Sequence, residues 1–83
     1  MTKDHKTVTI VVEGTPHQWP KEMISYAEVV TLEVPSYSPD SGIAYAVKYT
    51  KSSTKKHWEI LSPGMTVEVK DGMIFNVSET GQS

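Results

Sequence analysis

Three histidines are the side chains in this sequence best suited to metal binding or to proton transfer near neutral pH. His5, His17 and His57 each stand apart from other ligands, with no second donor at a spacing typical of a metal site. Cysteine is absent, which excludes thiol nucleophiles, disulfides and thiolate metal ligands. The sequence therefore indicates surface histidines, no metal site and no cofactor.

Hydroxyl and carboxylate side chains offer a second route to chemistry, but their arrangement does not favour it. Ser38, Asp40 and Ser41 cluster in "SPDSG", where such residues usually satisfy the backbone of a turn. No serine lies in a glycine-flanked nucleophile elbow, and no glycine-rich loop is suited to phosphate. The glutamates are not paired for acid–base catalysis. We therefore predict that the protein is not an enzyme.

Polar residues also close the chain, in the segment "SETGQS" from Ser78 to Ser83. None of these side chains is apolar enough to pack in a core. A frayed end and a reactive end share this composition. The elements that precede the segment must distinguish the two.

Aromatic residues are candidates for partner contacts. Trp19 beside Pro20, and Tyr26 at the first helical position, are predicted to be partly exposed, and aromatics are enriched at protein interfaces. The alternative is that they cover the rim of a small core. Phe75 and Trp58 occupy alternating strand positions and are predicted to be core residues.

Composition bounds the class of protein. The 83 residues suffice for one small domain, with a formal charge of −2. Every basic residue is lysine, so the bidentate arginine fork that reads bases and phosphates is missing, and nucleic-acid binding is not expected. No apolar run approaches the length of a membrane span, and the N-terminus lacks the pattern of a signal peptide. A cysteine-free chain of this kind fits the cytoplasm.

The start of a helix is marked in "MISYAEVVTL". Ser25 and Glu28 have the spacing of a capping box, in which each side chain binds the backbone N–H of the other residue. Pro35 disfavours helical geometry in the residue before it, so the helix should end by about Glu33.

Alternating apolar residues predict strands on both sides of this helix. "HQWPK" reads as a short or edge strand, because Pro20 cannot donate to a ladder. Asp71 and Gly72, between "MTVEV" and "MIFNV", predict a hairpin turn. The residues expected to share a strand face are Val8, Ile10 and Val12; Tyr45, Val47 and Tyr49; Trp58 and Ile60; and Met73, Phe75 and Val77.

The predicted order of elements is strand, strand, helix, strand, strand and a final strand. One helix packed on a mixed sheet of four to five strands is a two-layer α+β fold. With the first and last strands as parallel central neighbours, it is the β-grasp fold. We expect a flexible N-terminus over residues 1–6, the folded domain over 7–78 and a flexible tail over 79–83.

The sequence resembles a known family in "TVTIVVEG", Trp19, "ISYAEV", "YAVKY" and "GMTVEVKDGMIFNV". Together these segments are similar to the bacterial ubiquitin-like proteins of the multiubiquitin type. The resemblance runs from about Thr7 to Ser83, and the C-terminal block is its most specific part. It implies a ubiquitin-like β-grasp domain.

The resemblance further implies a protein modifier of a bacterial conjugation pathway. An E1-like activating enzyme would adenylate the C-terminal carboxylate with ATP, and an E2-like conjugating enzyme would pass it to a target. A processing peptidase would trim the tail, with Thr80, Gly81, Gln82 and Ser83 as the conjugation and processing residues. Such modifiers commonly end in Gly-Gly, whereas here only Gly81 is present. Trimming, a different terminal residue and the absence of conjugation all remain open.

Two other functions fit the same fold. One is a non-covalent binding module that uses the sheet face or the region around Trp19. The other is a sulfur carrier, against which the missing Gly-Gly weighs. Lysines that could accept a second copy, or that are simply solvated, are Lys48, Lys51, Lys55 and Lys56.

Overall fold

The computed structural model describes residues 6–38, 40, 42–51 and 57–82. In these ranges the chain forms one helix and seven strands. They are β1 (Thr7–Val12), β2 (Thr15–Pro20), β3 (Met23–Ser25), α1 (Tyr26–Glu33), β4 (Ile43–Thr50), β5 (Glu59–Leu61), β6 (Thr66–Glu68) and β7 (Ile74–Gln82). No helix in the described part of the chain is long and apolar enough to cross a membrane.

The main sheet has five strands in the order β2-β1-β7-β4-β5. β1 and β7 are parallel neighbours at its centre, and the other pairs are antiparallel. β3 and β6 form a separate two-stranded antiparallel sheet. One helix packed on a mixed sheet of this order is the ubiquitin-like β-grasp, so the predicted α+β fold is confirmed.

The core lies between the helix and the inner face of the main sheet. Ile10 of β1 and Phe75 of β7 are fully buried, as are Val29 and Val30 of α1. The alternation predicted for β1, β4 and β7 is confirmed, because the inward sets are buried or half-buried. These residues are Val8, Ile10, Val12, Tyr45, Val47, Tyr49, Met73, Phe75 and Val77.

Helix α1 begins with the predicted capping box. The Glu28 N–H donates to Ser25 Oγ at 3.1 Å, and the Ser25 N–H donates to Glu28 Oε1 at 2.9 Å. Two of the backbone donors at the helix N-terminus are thereby satisfied. The helix ends at Glu33, as the following Val34-Pro35 pair predicts.

The hairpin predicted at Asp71 and Gly72 is wrong. β6 pairs with β3 instead, and β7 pairs with β1 and β4. The two turn residues bind β1: the Thr9 N–H donates to Asp71 Oδ1 at 2.9 Å, and the Gly72 N–H donates to the Thr9 carbonyl at 2.8 Å. These contacts with β1 thus fix the path of the chain between the two-stranded sheet and the main sheet.

The prediction for "HWEIL" is wrong by one residue. Leu61 is buried, whereas Ile60 is 67% exposed. Leu61 lies opposite Val47 in the β4–β5 register and therefore shares its inward face. Trp58 precedes β5 and is half-buried, outside the main core cluster. A three-residue strand is too short for its own alternation to define the inward face.

Replacing the N-cap tests the local origin of the helix. Ser25→Ala is expected to lower the free energy of unfolding by about 1 kcal/mol, because the Glu28 N–H loses its acceptor. Urea denaturation followed by tryptophan fluorescence would measure the change. The exposed Ser62→Ala is the control, and equal effects of the two substitutions would contradict the assignment.

Candidate functional site

The C-terminal candidate residues lie on the last strand of the main sheet. β7 continues past Ser78 to Gln82, so residues 79–82 are the last residues of this strand. Glu79 pairs with Tyr45, and Gln82 pairs with Ile43. The eight-residue β4 is long enough to supply these partners. The flexibility of this segment stays a prediction, and Ser83 lies outside the described residues.

The pairing of this segment contains an irregularity. From Tyr45 to Ile43 on β4 the chain advances by two residues, while β7 advances by three, from Glu79 to Gln82. The additional residue on β7 has the count of a β-bulge. Within it, Thr80 Oγ1 donates to the Ala44 carbonyl at 3.2 Å. A side-chain hydroxyl thus supplements the main-chain ladder where the register shifts.

Glu13 ends the pairing on the opposite edge of β7. Its backbone has a φ of 50°, and the following Gly14 has a φ of 83°, so the chain turns away after Val12. The Glu13 N–H donates to the Phe75 carbonyl at 3.0 Å. The next donor along β7, the Val77 N–H, binds Glu13 Oε2 at 2.6 Å. A carboxylate therefore replaces the carbonyl that a longer β1 would have provided.

Sequence reasoning missed this role of Glu13. It treated the residue as one of several unclustered glutamates. The available signal was a glutamate followed by glycine at the end of an apolar strand, a place where the chain must turn. The parallel partner that it contacts is 64 residues away, and no local pattern reveals it.

A cleft of about 270 Å³ opens where β1 ends. Its lining is mixed in polarity: Glu13, Ala46, Lys48, Asn76, Val77 and Ser78. In the described part of the chain, no group of three or more histidine, aspartate or glutamate side chains is placed to hold a metal ion. Lys48 and Lys51 are exposed, whereas Lys55 and Lys56 fall outside the described residues.

Trp19 is half-buried, which confirms the prediction that this residue is partly exposed. Its indole Nε1 donates to the Met23 carbonyl at 3.4 Å, which fixes the ring against the chain leaving β2. The ring lines a largely apolar groove of about 290 Å³ together with side chains of α1. The other residues of this groove are Ala27, Glu28, Thr31 and Leu32.

Tyr26 is not a surface residue, so its expected exposure is wrong. Only 6% of it is exposed. The Tyr26 N–H donates to the carbonyl of Met65, the residue before β6, and this bond holds the first turn of α1 against the start of that strand. Its hydroxyl donates to the Tyr45 carbonyl at 2.9 Å. The Tyr45 ring also packs edge-on against Tyr37, with centroids 5.7 Å apart. Tyr26 therefore anchors the part of β4 that pairs with Glu79.

The outer edge of β2 is protected against strand addition. The Lys21 N–H donates to the Lys6 carbonyl, so Lys6 and Lys21 form a hydrogen-bonded pair at the end of the β1–β2 ladder. By alternation, Pro16, Gln18 and Pro20 direct their backbone groups away from β1. Two of these three residues have no N–H, so the edge offers one donor to an incoming strand.

The carboxylate of Glu13 can be tested by substitution. Glu13→Ala is expected to lower the free energy of unfolding by about 2 kcal/mol, because the Val77 N–H loses a charged acceptor. Glu13→Gln should retain most of the stability, since its amide oxygen can accept the same bond. Glu33→Ala, at the exposed end of α1, is the control for loss of charge. Equal denaturation midpoints for Glu13→Ala and the parent would contradict this role.

Alkaline titration tests the burial of Tyr26. Burial raises the pKa of the Tyr26 hydroxyl above 10.0, and burial together with the Glu59 carboxylate does the same for Tyr49. A raised pKa in the folded state favours the protonated form. The stabilisation that each protonated hydroxyl contributes is therefore fully present below the pKa of the unfolded state. It is lost as pH rises through the pKa of the folded state. Tyr26→Phe should make the fall in unfolding free energy above about pH 10 less steep. An unchanged slope would place the hydroxyl in water.

Comparison with known protein families gives a match over most of the chain. The family model described as Multiubiquitin matches residues 8–81. No curated protein and no solved structure matches the chain significantly. The family match extends from β1 into the segment of β7 that pairs with the start of β4.

Proposed function

The chain belongs to the multiubiquitin family of ubiquitin-like proteins, and on this basis we propose that it is a protein modifier of a bacterial conjugation pathway. The observation that carries the proposal is the family match up to Gly81, which includes most of the terminal strand. That strand continues past the last residue that pairs with its parallel neighbour β1, and it carries the chain to Gln82 beside the start of β4. We infer protein partners in the cytoplasm and no catalytic role for the domain.

The proposed chemistry begins at the C-terminal carboxylate. In an E1-like enzyme, a carboxylate oxygen attacks the α-phosphorus of ATP, an acyl-adenylate forms and pyrophosphate leaves. A thiol of the enzyme then displaces AMP, and transfer through an E2-like enzyme joins the acyl group to an amine of the target. The partner enzymes supply every catalytic group in this series of reactions.

A peptidase would define the reactive residue. Hydrolysis of the peptide bond between Gly81 and Gln82 consumes one water and leaves Gly81 as the new C-terminus. Glycine suits this position, because a backbone without a side chain can enter a narrow active site. Thr80 would then precede the reactive residue, and Gln82 and Ser83 would leave with the released peptide.

A non-covalent binding module is the second candidate, and the groove beside Trp19 favours it. An apolar groove that contains a tryptophan has the composition of a contact surface. The prolines of β2 make a partner's side chains, rather than an added strand, the expected occupants. In this case removal of residues 79–83 would leave binding intact, whereas Trp19→Ala would abolish it.

The mass of the C-terminus in the native host tests the main proposal. We expect a tail shortened within residues 78–83 and a peptide in which the new end is joined to an amine of another protein. Gly81→Pro should abolish both products, because proline restricts the backbone at the cleavage site, and the exposed Ser78→Ala is the matched control. An intact Ser83 on every molecule, with activating enzyme and ATP present, would contradict the proposal. A thiocarboxylate at the shortened end would instead indicate a sulfur carrier.

A further inference from the structure

We propose that residues 79–82 form a C-terminal latch. In the closed state they pair with the first residues of β4, from Ile43 to Tyr45, so the chain is held in the sheet as far as Gln82. In the open state they leave β4, and only then does a peptidase or an activating enzyme reach the C-terminus. The inference rests on the proposed function for its biological role, and the closed state itself is tested without any conjugation enzyme.

The closed state is incompatible with processing after Gly81. That bond lies between residues whose strand is paired with β4, since Gln82 is opposite Ile43. Enzymes that cleave or adenylate a chain end enclose its backbone on more than one side. β4 occupies one of these sides, so the segment must separate from it before the end of the chain can enter another protein's active site.

The boundary of the latch is set at Val77. Its side chain is buried, with 7% exposed, and its N–H is held by the Glu13 carboxylate. Upstream, β7 lies between β1 and β4 and contributes the fully buried Phe75 to the core. Separation of these residues from the sheet would expose the core. Opening is therefore confined to the residues that follow Val77.

The latch itself is weakly held in comparison. The parallel register of β7 with β1 ends at Phe75, and among the described residues no strand lies on that side of Glu79 or Thr80. Both of their side chains are exposed, so opening uncovers little apolar surface. The bulge interrupts the ladder to β4 as well. Segments with few buried contacts and exposed hydrogen bonds are those that open locally in native proteins.

The surface that receives the latch is anchored at Tyr45 by contacts that do not involve the latch. Tyr45 is held by the Tyr26 hydroxyl at its carbonyl and by the Tyr37 ring at its side chain. Tyr45 therefore remains anchored when the latch opens, and the moving part is the end of β7.

Timed digestion with carboxypeptidase Y tests the latch on the full chain. Ala44→Pro removes a backbone donor of β4 next to the Thr80 contact. Thr80→Val removes the hydroxyl, and Thr80→Ser retains it. We expect residues upstream of Ser83 to be released about tenfold faster from Ala44→Pro, and roughly fivefold faster from Thr80→Val, than from the parent chain. Thr80→Ser should follow the parent.

Amide hydrogen exchange provides the second measurement. In the closed state the amides of β7 that face β4 beyond Val77 should exchange more slowly than unstructured amides, and Thr80→Val should accelerate them. The amides of Ile10 and Val12 should remain protected in every variant, which shows that the core is intact. If Ala44→Pro loses that protection, Thr80→Val alone decides the test.

Two outcomes overturn the latch. One is exchange of the terminal β7 amides at unstructured rates in the parent chain. The other is a digestion rate for Thr80→Val that equals the rate for the parent chain. Failure of the proposed function is a separate result: a protected and releasable terminus in a protein that is never trimmed or conjugated in its host would retain the latch and refute the modifier.

Discussion

The parallel pairing of β1 with β7 is the constraint on which the rest of the structure depends. These strands lie near opposite ends of the chain, and their fully buried residues, among them Ile10 and Phe75, form the centre of the core. Parallel strands cannot be joined by a tight turn, so the intervening chain must cross over the sheet. Helix α1 lies on that path and covers the inner face. β4 then pairs with the other side of β7.

The length of β1 determines how much of β7 has a neighbouring strand on both sides. Because β1 turns away at Glu13 and Gly14, β7 loses its parallel neighbour while it is still paired with β4. The Glu13 carboxylate satisfies one further donor, the Val77 N–H, and marks the point where the well-packed strand gives way to an exposed one. The first half of β7 thus contributes buried residues to the core, whereas its second half is an exposed strand that leads toward the end of the chain.

The surfaces available to partners differ in the contacts that they permit. At the outer edge of β2, Pro16 and Pro20 remove donors that an added strand would need. The groove between Trp19 and α1 is largely apolar. Tyr26 lies beneath the surface and links α1 to β4 through the Tyr45 carbonyl. A partner would therefore contact Trp19 directly, whereas Tyr26 would affect binding only because it holds β4 in position.

The sequence by itself determined the local features: the inward alternation of β1, β4 and β7, the capping box at Ser25 and the limits of α1. These depend on residues a few positions apart, and the same spacing supported the β-grasp order of elements. Tertiary structure alone decided the partners of β6, the inward residue of β5, the burial of Tyr26 and the contact between Glu13 and Val77. Each requires segments distant in sequence to meet, and neither periodicity nor turn chemistry specifies which distant segment will be adjacent.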